Sequence, residues 1–437
     1  MNKFSQFPLI SRVGLFAYFR PTRFPLPPEK IKSSMEIVRK LQEQLLAQAP
    51  FLQKDNEYHN AIKEAFLQTP RHLFINKFRD YPKPDWTVVT EENLPALLPV
   101  LYANKPLSLY DEPGKEFTSS ISQPYIVLKM LDFLEVKKGN TVFEIGAASG
   151  WTAALLGALV GDEGHVYSTE IIPALALQAK ENMERSAIPN VTILPGDGGF
   201  GYEEGGLFDR IIFTAGSYDL PACFYNQLKE DGILLLVLKR RGGGDLLIQL
   251  KKTDDHFEAI KFSECKFVKM TGKYEFTGID PVPLEQLPEW QELQNQELSR
   301  SPFWWGGPSD VPLNWRTSGF RFFLGITEPG LRIFSDMKTP GEFGYFGLLH
   351  SEKKSLTLAK DQLLITYGTE DSRLAFMNSL HTWIDLGMPG ATHFTLKVYP
   401  IEKKIDPPGS SNAPGSAGVP KKQWIVNSVD SQFVWSL

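Results

Sequence analysis

Apolar positions fall at helical spacing early in the chain. Ile31, Met35, Val38, Leu41 and Leu45 recur every three or four residues and predict an amphipathic helix over 29–48. A second helix is predicted over 57–67, ending near Pro70. Residues 76–117 lose this period and carry Pro82, Pro84, Pro95, Pro106 and Pro113, so an irregular covering loop is expected there. The helical pattern returns at Ile126, Val127, Met130, Leu131 and Leu134, with Pro124 in the first turn and Ser122 placed as its N-cap.

A different pattern then takes over. Val142, Phe143 and Ile145 form the continuous apolar run of a buried parallel strand. From Gly146 to Gly150 every residue is Gly, Ala or Ser, which lets a ligand approach the backbone. An apolar helix follows from Ala153 to Val160, with Gly161 placed to cap it. Strands at His165–Thr169, Val191–Leu194, Phe208–Phe213 and Ile233–Leu238 and a helix over 174–186 complete an alternation that predicts an α/β, doubly wound, Rossmann-like sheet. Arg241–Asp245 reads as a hairpin turn into Leu247–Lys251.

After a linker with Pro281, Pro283 and Pro288 the style changes. The remainder is rich in aromatic residues. It has strand-like runs at 331–335, 343–349, 362–367, 393–398 and 424–437 and a helix over 370–386, which together suggest a smaller α+β domain. Residues 403–422 are rich in Pro, Gly, Ser and Lys and read as a disordered loop. The expected division is an arm and helix over 1–56, the nucleotide-binding domain over 57–285, and an accessory domain over 286–437.

Composition narrows the classes. A chain of 437 residues is long enough for more than one domain. The net charge of -5 gives no overall footprint for nucleic acid. Only Cys223 and Cys265 occur, without a C-x-x-C pair, and the seven histidines never pair at i, i+4, so neither a disulfide framework nor a metal site is expected. No run of about 18 apolar residues is present to span a bilayer. Residues 1–27 are interrupted by Pro8, Arg12, Arg20, Pro21 and Arg23 and read as an arm rather than a secretory signal, so the cytoplasm is the expected setting.

The turn after the first parallel strand argues against a dinucleotide. That fingerprint needs small residues at its third and sixth positions, and counting from Gly146 these are Ala148 and the bulky Trp151. Glu144, two residues before Gly146, instead suits the E-x-G-x-x-S-G turn of S-adenosylmethionine enzymes. Glu170 ends the second strand, where an acidic residue accepts hydrogen bonds from ribose hydroxyls. Asp197, between Gly196 and Gly198, is placed to accept from an adenine amino group. Plainer accounts stand beside these: a nucleotide-free turn, a surface glutamate opening a helix, and a simple Asp-Gly turn.

Four segments in order then carry a resemblance: Pro70-Arg71-His72-Leu73-Phe74, Thr118–Tyr125 with its I-S-x-P motif, Val142–Trp151, and Gly196–Gly198 with Ile211–Ala215. Over roughly 57–275 the chain resembles the protein-L-isoaspartate O-methyltransferases. The resemblance implies S-adenosylmethionine as methyl donor, S-adenosylhomocysteine as product, and an isoaspartyl protein or peptide as substrate. It implies a cofactor site of Ser120, Glu144, Gly146, Ala147, Ala148, Ser149, Gly150, Glu170, Ile171, Gly196, Asp197 and Gly198. It also implies a catalytic Ser122 that orients the substrate carboxylate, flanked by substrate contacts Gln123, Pro124, Thr214 and Ala215. Three departures are visible: Ala148 replaces the usual central glycine, Ser120 replaces threonine, and the covering loop is longer. Three functions remain open at this point. They are repair of damaged proteins, an aspartyl methyltransferase dedicated to one peptide pathway, and a non-catalytic module binding the cofactor or a partner.

Overall fold

The structure is a computed structural model describing residues 28–112, 115–276, 281–303, 317–335, 344–403, 405 and 422–437. The expected amino-terminal arm and most of the expected 403–422 loop lie outside these residues. Two compact units divide the chain, residues 1–198 and 199–437.

The first unit opens with α1 (Pro28–Ala47) and α2 (Glu57–Gln68). Asn56 caps α2 by accepting from His59 N at 2.8 Å. The segment expected to be an irregular loop is instead ordered. It forms β1 (Lys77–Arg79), β2 (Trp86–Val88), α3 (Leu94–Leu101), β3 (Leu107–Glu112) and β4 (Lys115–Ile121), in a sheet of order β2-β1-β3-β4. β1 and β2 have three residues each, too few to show an alternating period between prolines. Their sheet is held partly by an ion pair of Arg79 with Asp111 at 2.7 Å.

Next comes α4 (Pro124–Leu134), whose N-cap is Gln123 and not Ser122. Pro124 fixes the first helical residue, and no side chain caps the helix. Strand β5 (Thr141–Ile145), α5 (Trp151–Val160), β6 (His165–Glu170), α6 (Pro173–Arg185) and β7 (Val191–Pro195) follow as two βαβ units. β5 pairs with β6 and β6 with β7, both parallel. Helix α5 is apolar nearly all round because it is buried nearly all round, from Ala153 to Leu156 and again at Leu159 and Val160.

The second unit begins with β8 (Phe208–Phe213), a five-residue α7 (Cys223–Gln227), β9 (Leu228–Lys239), β10 (Asp245–Lys252) and β11 (Phe257–Cys265). β8 and β9 are parallel, whereas β10 is antiparallel to both β9 and β11. The hairpin between β9 and β10 needs its glycines: Gly242, Gly243 and Gly244 have φ of 90°, 76° and 74°.

Further along lie β12 (Val282–Pro283), β13 (Glu297–Pro302), α8 (Ser318–Thr327), β14 (Leu331–Ser335), β15 (Tyr345–His350), β16 (Ser355–Lys360), β17 (Leu363–Gly368) and α9 (Asp371–Asp385). Their strands make a second sheet of order β12-β14-β15-β16-β17-β13 over a core that includes Leu293, Phe334, Leu356 and Ile365. The last strands, β18 (Thr395–Pro400), β19 (Gln423–Asn427) and β20 (Ser431–Ser436), return to the first sheet of this unit. β18 pairs with β11, β20 with β18, and β19 with β20.

Candidate active site

The small-residue turn is pinned to the end of the neighbouring strand. Gly146 N and Ala147 N both donate to Thr169 O, at 3.0 and 2.8 Å. Gly146, Ala148 and Gly150 have φ of 104°, 47° and 88°, so Ala148 holds a left-handed conformation that glycine adopts without strain. A Cβ on Gly150 would lie 2.8 Å from Met183 Cε, so glycine here allows α5 and α6 to pack. A Cβ on Gly198 would lie 2.3 Å from Thr169 Oγ1 and 2.8 Å from Ile145 Cγ2, which brings the Gly196–Gly198 turn against the ends of β5 and β6. Gly196 N donates to Glu170 O at 2.9 Å. Ser149 is buried, and Asn182 Nδ2 holds its carbonyl at 2.9 Å.

Two carboxylates converge on this turn. Glu170 accepts from Ala148 N at 2.6 Å through Oε2 and from Ile172 N at 2.9 Å through Oε1. A carboxylate accepts about four hydrogen bonds, so capacity is left for a further donor. Burial pushes the Glu170 pKa up, against the pull of these amides. Glu144 is fully buried and accepts from Ser168 Oγ at 2.5 Å, while its Oε1 has no hydrogen-bond partner. Burial, followed by the nearby Glu170, pushes its pKa up to about 8. Near neutral pH the cofactor-free Glu144 carboxyl therefore keeps its proton, and it ionises only when a cation is brought beside it. Paired, desolvated carboxyls suit a cationic ligand with hydroxyl groups and oppose a pyrophosphate.

The I-S-x-P loop is held by a residue to which sequence reasoning gave no role. Arg71 is 1% exposed. Its Nη1 donates to Leu101 O at 2.6 Å, and its Nη2 to Lys105 O, Ile121 O and Ser122 O at 3.1, 3.1 and 2.9 Å. The guanidinium also lies 5.5 Å from the ring centroid of Trp151, the first residue of α5. Trp151 Nε1 in turn donates to Thr69 O at 3.1 Å. Thr69–Arg71 therefore join the serine loop to the helix that leaves the small-residue turn. Burial lowers the Arg71 pKa to about 9, so it stays protonated near neutral pH. Its neighbour His72 meets Tyr102 Oη at 2.8 Å and is held neutral by burial, with a pKa of about 4.

The remaining predicted residues fall as follows. Ser122 is half-buried, and its Oγ makes no hydrogen bond among the described residues. Gln123 Nε2 donates to Asn104 O at 3.0 Å, and Pro124 is buried at the start of α4. Ser120 lies on β4 opposite Ser108. Ile171 is exposed and Asp197 half-buried, each just past a strand end. Thr214 and Ala215 follow β8 in the second unit. Besides Arg71, the sequence reading missed Ser168 and Asn104. The only advance signal was that Arg71 stood in a quoted motif.

Parallel βαβ units, a small-residue turn after the first strand and carboxyls at the ends of the first two strands define the Rossmann-like methyltransferase class. Within that class, residues 42–275 match the family model described as Protein-L-isoaspartate(D-aspartate) O-methyltransferase (PCMT), and the chain belongs to this family. The protein-L-isoaspartate O-methyltransferase of Ignicoccus hospitalis is 34% identical over 209 residues, which cover 48% of this chain and 88% of that protein. The enzyme of the same name from Methanothrix thermoacetophila is 34% identical over 221 residues, covering 51% and 92%. A solved structure of a protein-L-isoaspartate O-methyltransferase aligns at 22% identity over 82% of this chain and 95% of its own, with a TM-score of 0.47. Among the described residues no helix is long and apolar enough to cross a membrane.

Proposed function

We propose that this chain moves a methyl group from S-adenosylmethionine to the carboxylate of L-isoaspartyl or D-aspartyl residues in proteins and peptides. One observation carries the reading: Arg71 and Trp151 tie the I-S-x-P loop to the helix of the small-residue turn. A carboxylate-orienting loop and a donor cradle are thereby held on one scaffold.

The residues fit the donor. The cationic sulfonium and amino group suit a turn with two desolvated carboxyls, and the ribose hydroxyls suit the remaining acceptor capacity of Glu170. When bound, S-adenosylmethionine supplies a methyl group activated by its sulfonium. Glu170 would accept from the ribose, Asp197 would accept from the adenine amino group, and Gly146–Gly150 would present backbone to the amino-acid end. Ser122 donates from Oγ to one carboxylate oxygen of the substrate and aims the other as nucleophile.

A carboxylate is already ionised at neutral pH, so the chain needs no general base. Its contribution is alignment, and the Arg71 clamp holds the serine loop still for that purpose. The methyl ester carries a far better leaving group than the free carboxylate, so the neighbouring backbone amide nitrogen attacks the ester carbonyl, the C–OCH3 bond breaks, and the amide proton leaves with methoxide as methanol, closing a succinimide. Hydrolysis of that ring returns some normal aspartate, which is repair.

We place the reaction in the cytoplasm, in keeping with two free cysteines. The test is to incubate the full chain with S-adenosylmethionine and a short isoaspartyl peptide. S-adenosylhomocysteine should form in step with a peptide methyl ester. Cofactor binding without peptide-dependent S-adenosylhomocysteine would contradict the reading.

A further inference from the structure

The hairpin between β9 and β10 carries two adjacent cations, Arg240 and Arg241, that the proposed chemistry leaves unused. Neighbouring Lys239 is neutralised by Asp245 at 3.0 Å. Arg240 and Arg241 enter no ion pair among the described residues. Arg240 Nε donates only to Gly244 O, at 3.3 Å, and its guanidinium lies 5.3 Å from the Phe322 ring centroid. Arg241 Nη1 donates to Pro329 O at 3.1 Å. Burial lowers the Arg240 pKa, which the more distant Glu264 and Asp245 oppose. Both guanidinium groups are half-buried and hydrogen-bonded only to carbonyls, so an incoming carboxylate would give them a charged acceptor that none of the described residues supplies.

Both arginines line a cleft together with Tyr218, Phe276, Phe322 and Trp435, and its free volume is about 80 Å³. That is room for one small side chain rather than a nucleotide. The walls are paired rings: Tyr218 with Phe276 at 5.1 Å between centroids, and Phe322 with Trp435 at 5.0 Å. Gly325 lets α8 close on the hairpin, since a Cβ there would lie 2.6 Å from Arg241 O.

The cleft is also built rigidly. Asp219 Oδ2 accepts from Asp430 N at 2.7 Å, and Asp430 Oδ2 accepts from Ala222 N at 2.9 Å and Tyr274 Oη at 2.5 Å. Ser428 Oγ donates to Tyr218 O at 3.2 Å, and Ser431 Oγ to Leu220 O at 2.6 Å. The β19–β20 turn is thereby fastened to residues 218–222. That loop leaves the carboxyl end of β8, three residues beyond the candidate substrate contact Ala215.

We propose that this cleft is a peptide subsite that takes an acidic side chain of the polypeptide substrate, with an adjacent aromatic side chain packing on the rings at its mouth. Charge complementarity chooses the carboxylate, and the ring-lined walls choose its aromatic neighbour. The inference rests on the reading that the chain acts on peptides, and its test can fail separately from that reading.

The test uses the full chain and a fluorescent peptide of Glu, Asp and Phe with no isoaspartyl residue, against a control in which Lys replaces the acids. Anisotropy should show the acidic peptide binding at least about fivefold more tightly, and Arg241→Gln should remove most of that difference. Arg240→Gln should do the same, and Arg241, which makes no ring contact with Phe322, keeps the test readable if Arg240→Gln misfolds. Equal binding of the two peptides, or no change in Arg241→Gln, overturns the subsite. A second readout is methylation of isoaspartyl peptides with acidic or neutral flanks. The acidic flank should lower KM at unchanged kcat. Methylation of both at the same KM refutes the subsite and leaves the activity standing, whereas acidic-peptide binding without any methylation refutes the activity and leaves the subsite standing.

Discussion

Replacing Arg71 tests whether the serine loop is held by this side chain or merely passes it. The guanidinium serves four carbonyls on three segments, two of them at the motif itself. Arg71→Met keeps an unbranched side chain and deletes every donor. Hydrogen bonds to charged groups contribute about 1.5–3 kcal/mol each. A plain sum over four overshoots, because Nη2 shares two N–H bonds among three carbonyls and the cation's own burial is costly; breaking such a buried network costs about 3–5 kcal/mol. Arg71→Lys retains the charge with three N–H donors for four carbonyls, and about half that loss is expected.

The assay has two parts. Urea unfolding with linear extrapolation gives the stability change. Steady-state kinetics well below the transition separates positioning from stability. For Arg71→Lys, kcat should fall about tenfold or more through the loosened Ser122 while the cofactor Kd stays within about twofold. A stability loss under about 1 kcal/mol together with unchanged kcat would refute the clamp.

Other expectations follow from the same geometry. Ser122→Ala should cut turnover about tenfold to a thousandfold with little change in cofactor Kd measured by calorimetry, since one orienting donor is lost. Glu170→Gln puts an amide where Ala148 N or Ile172 N needs an acceptor, and cofactor binding should weaken about tenfold or more. Ala148→Gly should raise stability by about 0.5 kcal/mol in thermal unfolding, because relief of left-handed strain of about 1–2 kcal/mol exceeds the entropy cost of glycine. Glu144 gives a pH signature. Its native carboxyl keeps a proton that the unfolded chain has released, so its contribution falls as pH rises from 4.5 to about 8. Glu144→Gln should flatten the decline of the cofactor-free protein's melting temperature over that window; an unchanged profile would refute this assignment.

Much of the fold was legible because burial leaves a simple trace. β5 and β9 read as strands from unbroken apolar runs, and Gly146–Gly150 read as a tight turn from residue size alone. The misses have physical reasons. The sheet of β1–β4 is assembled from short strands between prolines, held in part by the Arg79–Asp111 pair, and no local period reports such a pairing. The cap that pattern alone offers for Ser122, beside the carboxylate-orienting role implied by the resemblance, is not formed, because the helix begins after Gln123 with no side-chain cap. Arg71 contacts carbonyls about 30 to 50 positions away, which sequence spacing does not encode. Likewise, strand pairing between β11 and β18 is invisible locally. It predicts that a chain cut after residue 285 loses the β18–β20 support of β11 and is recovered unfolded or inactive, whatever its substrate.

The most direct test of the account offers the full chain two peptides that differ only in the linkage at one aspartate, with methyl-labelled S-adenosylmethionine. The account predicts base-labile label on the isoaspartyl peptide and little on the normal one. Equal labelling of both, or label on neither while cofactor binds, would contradict it.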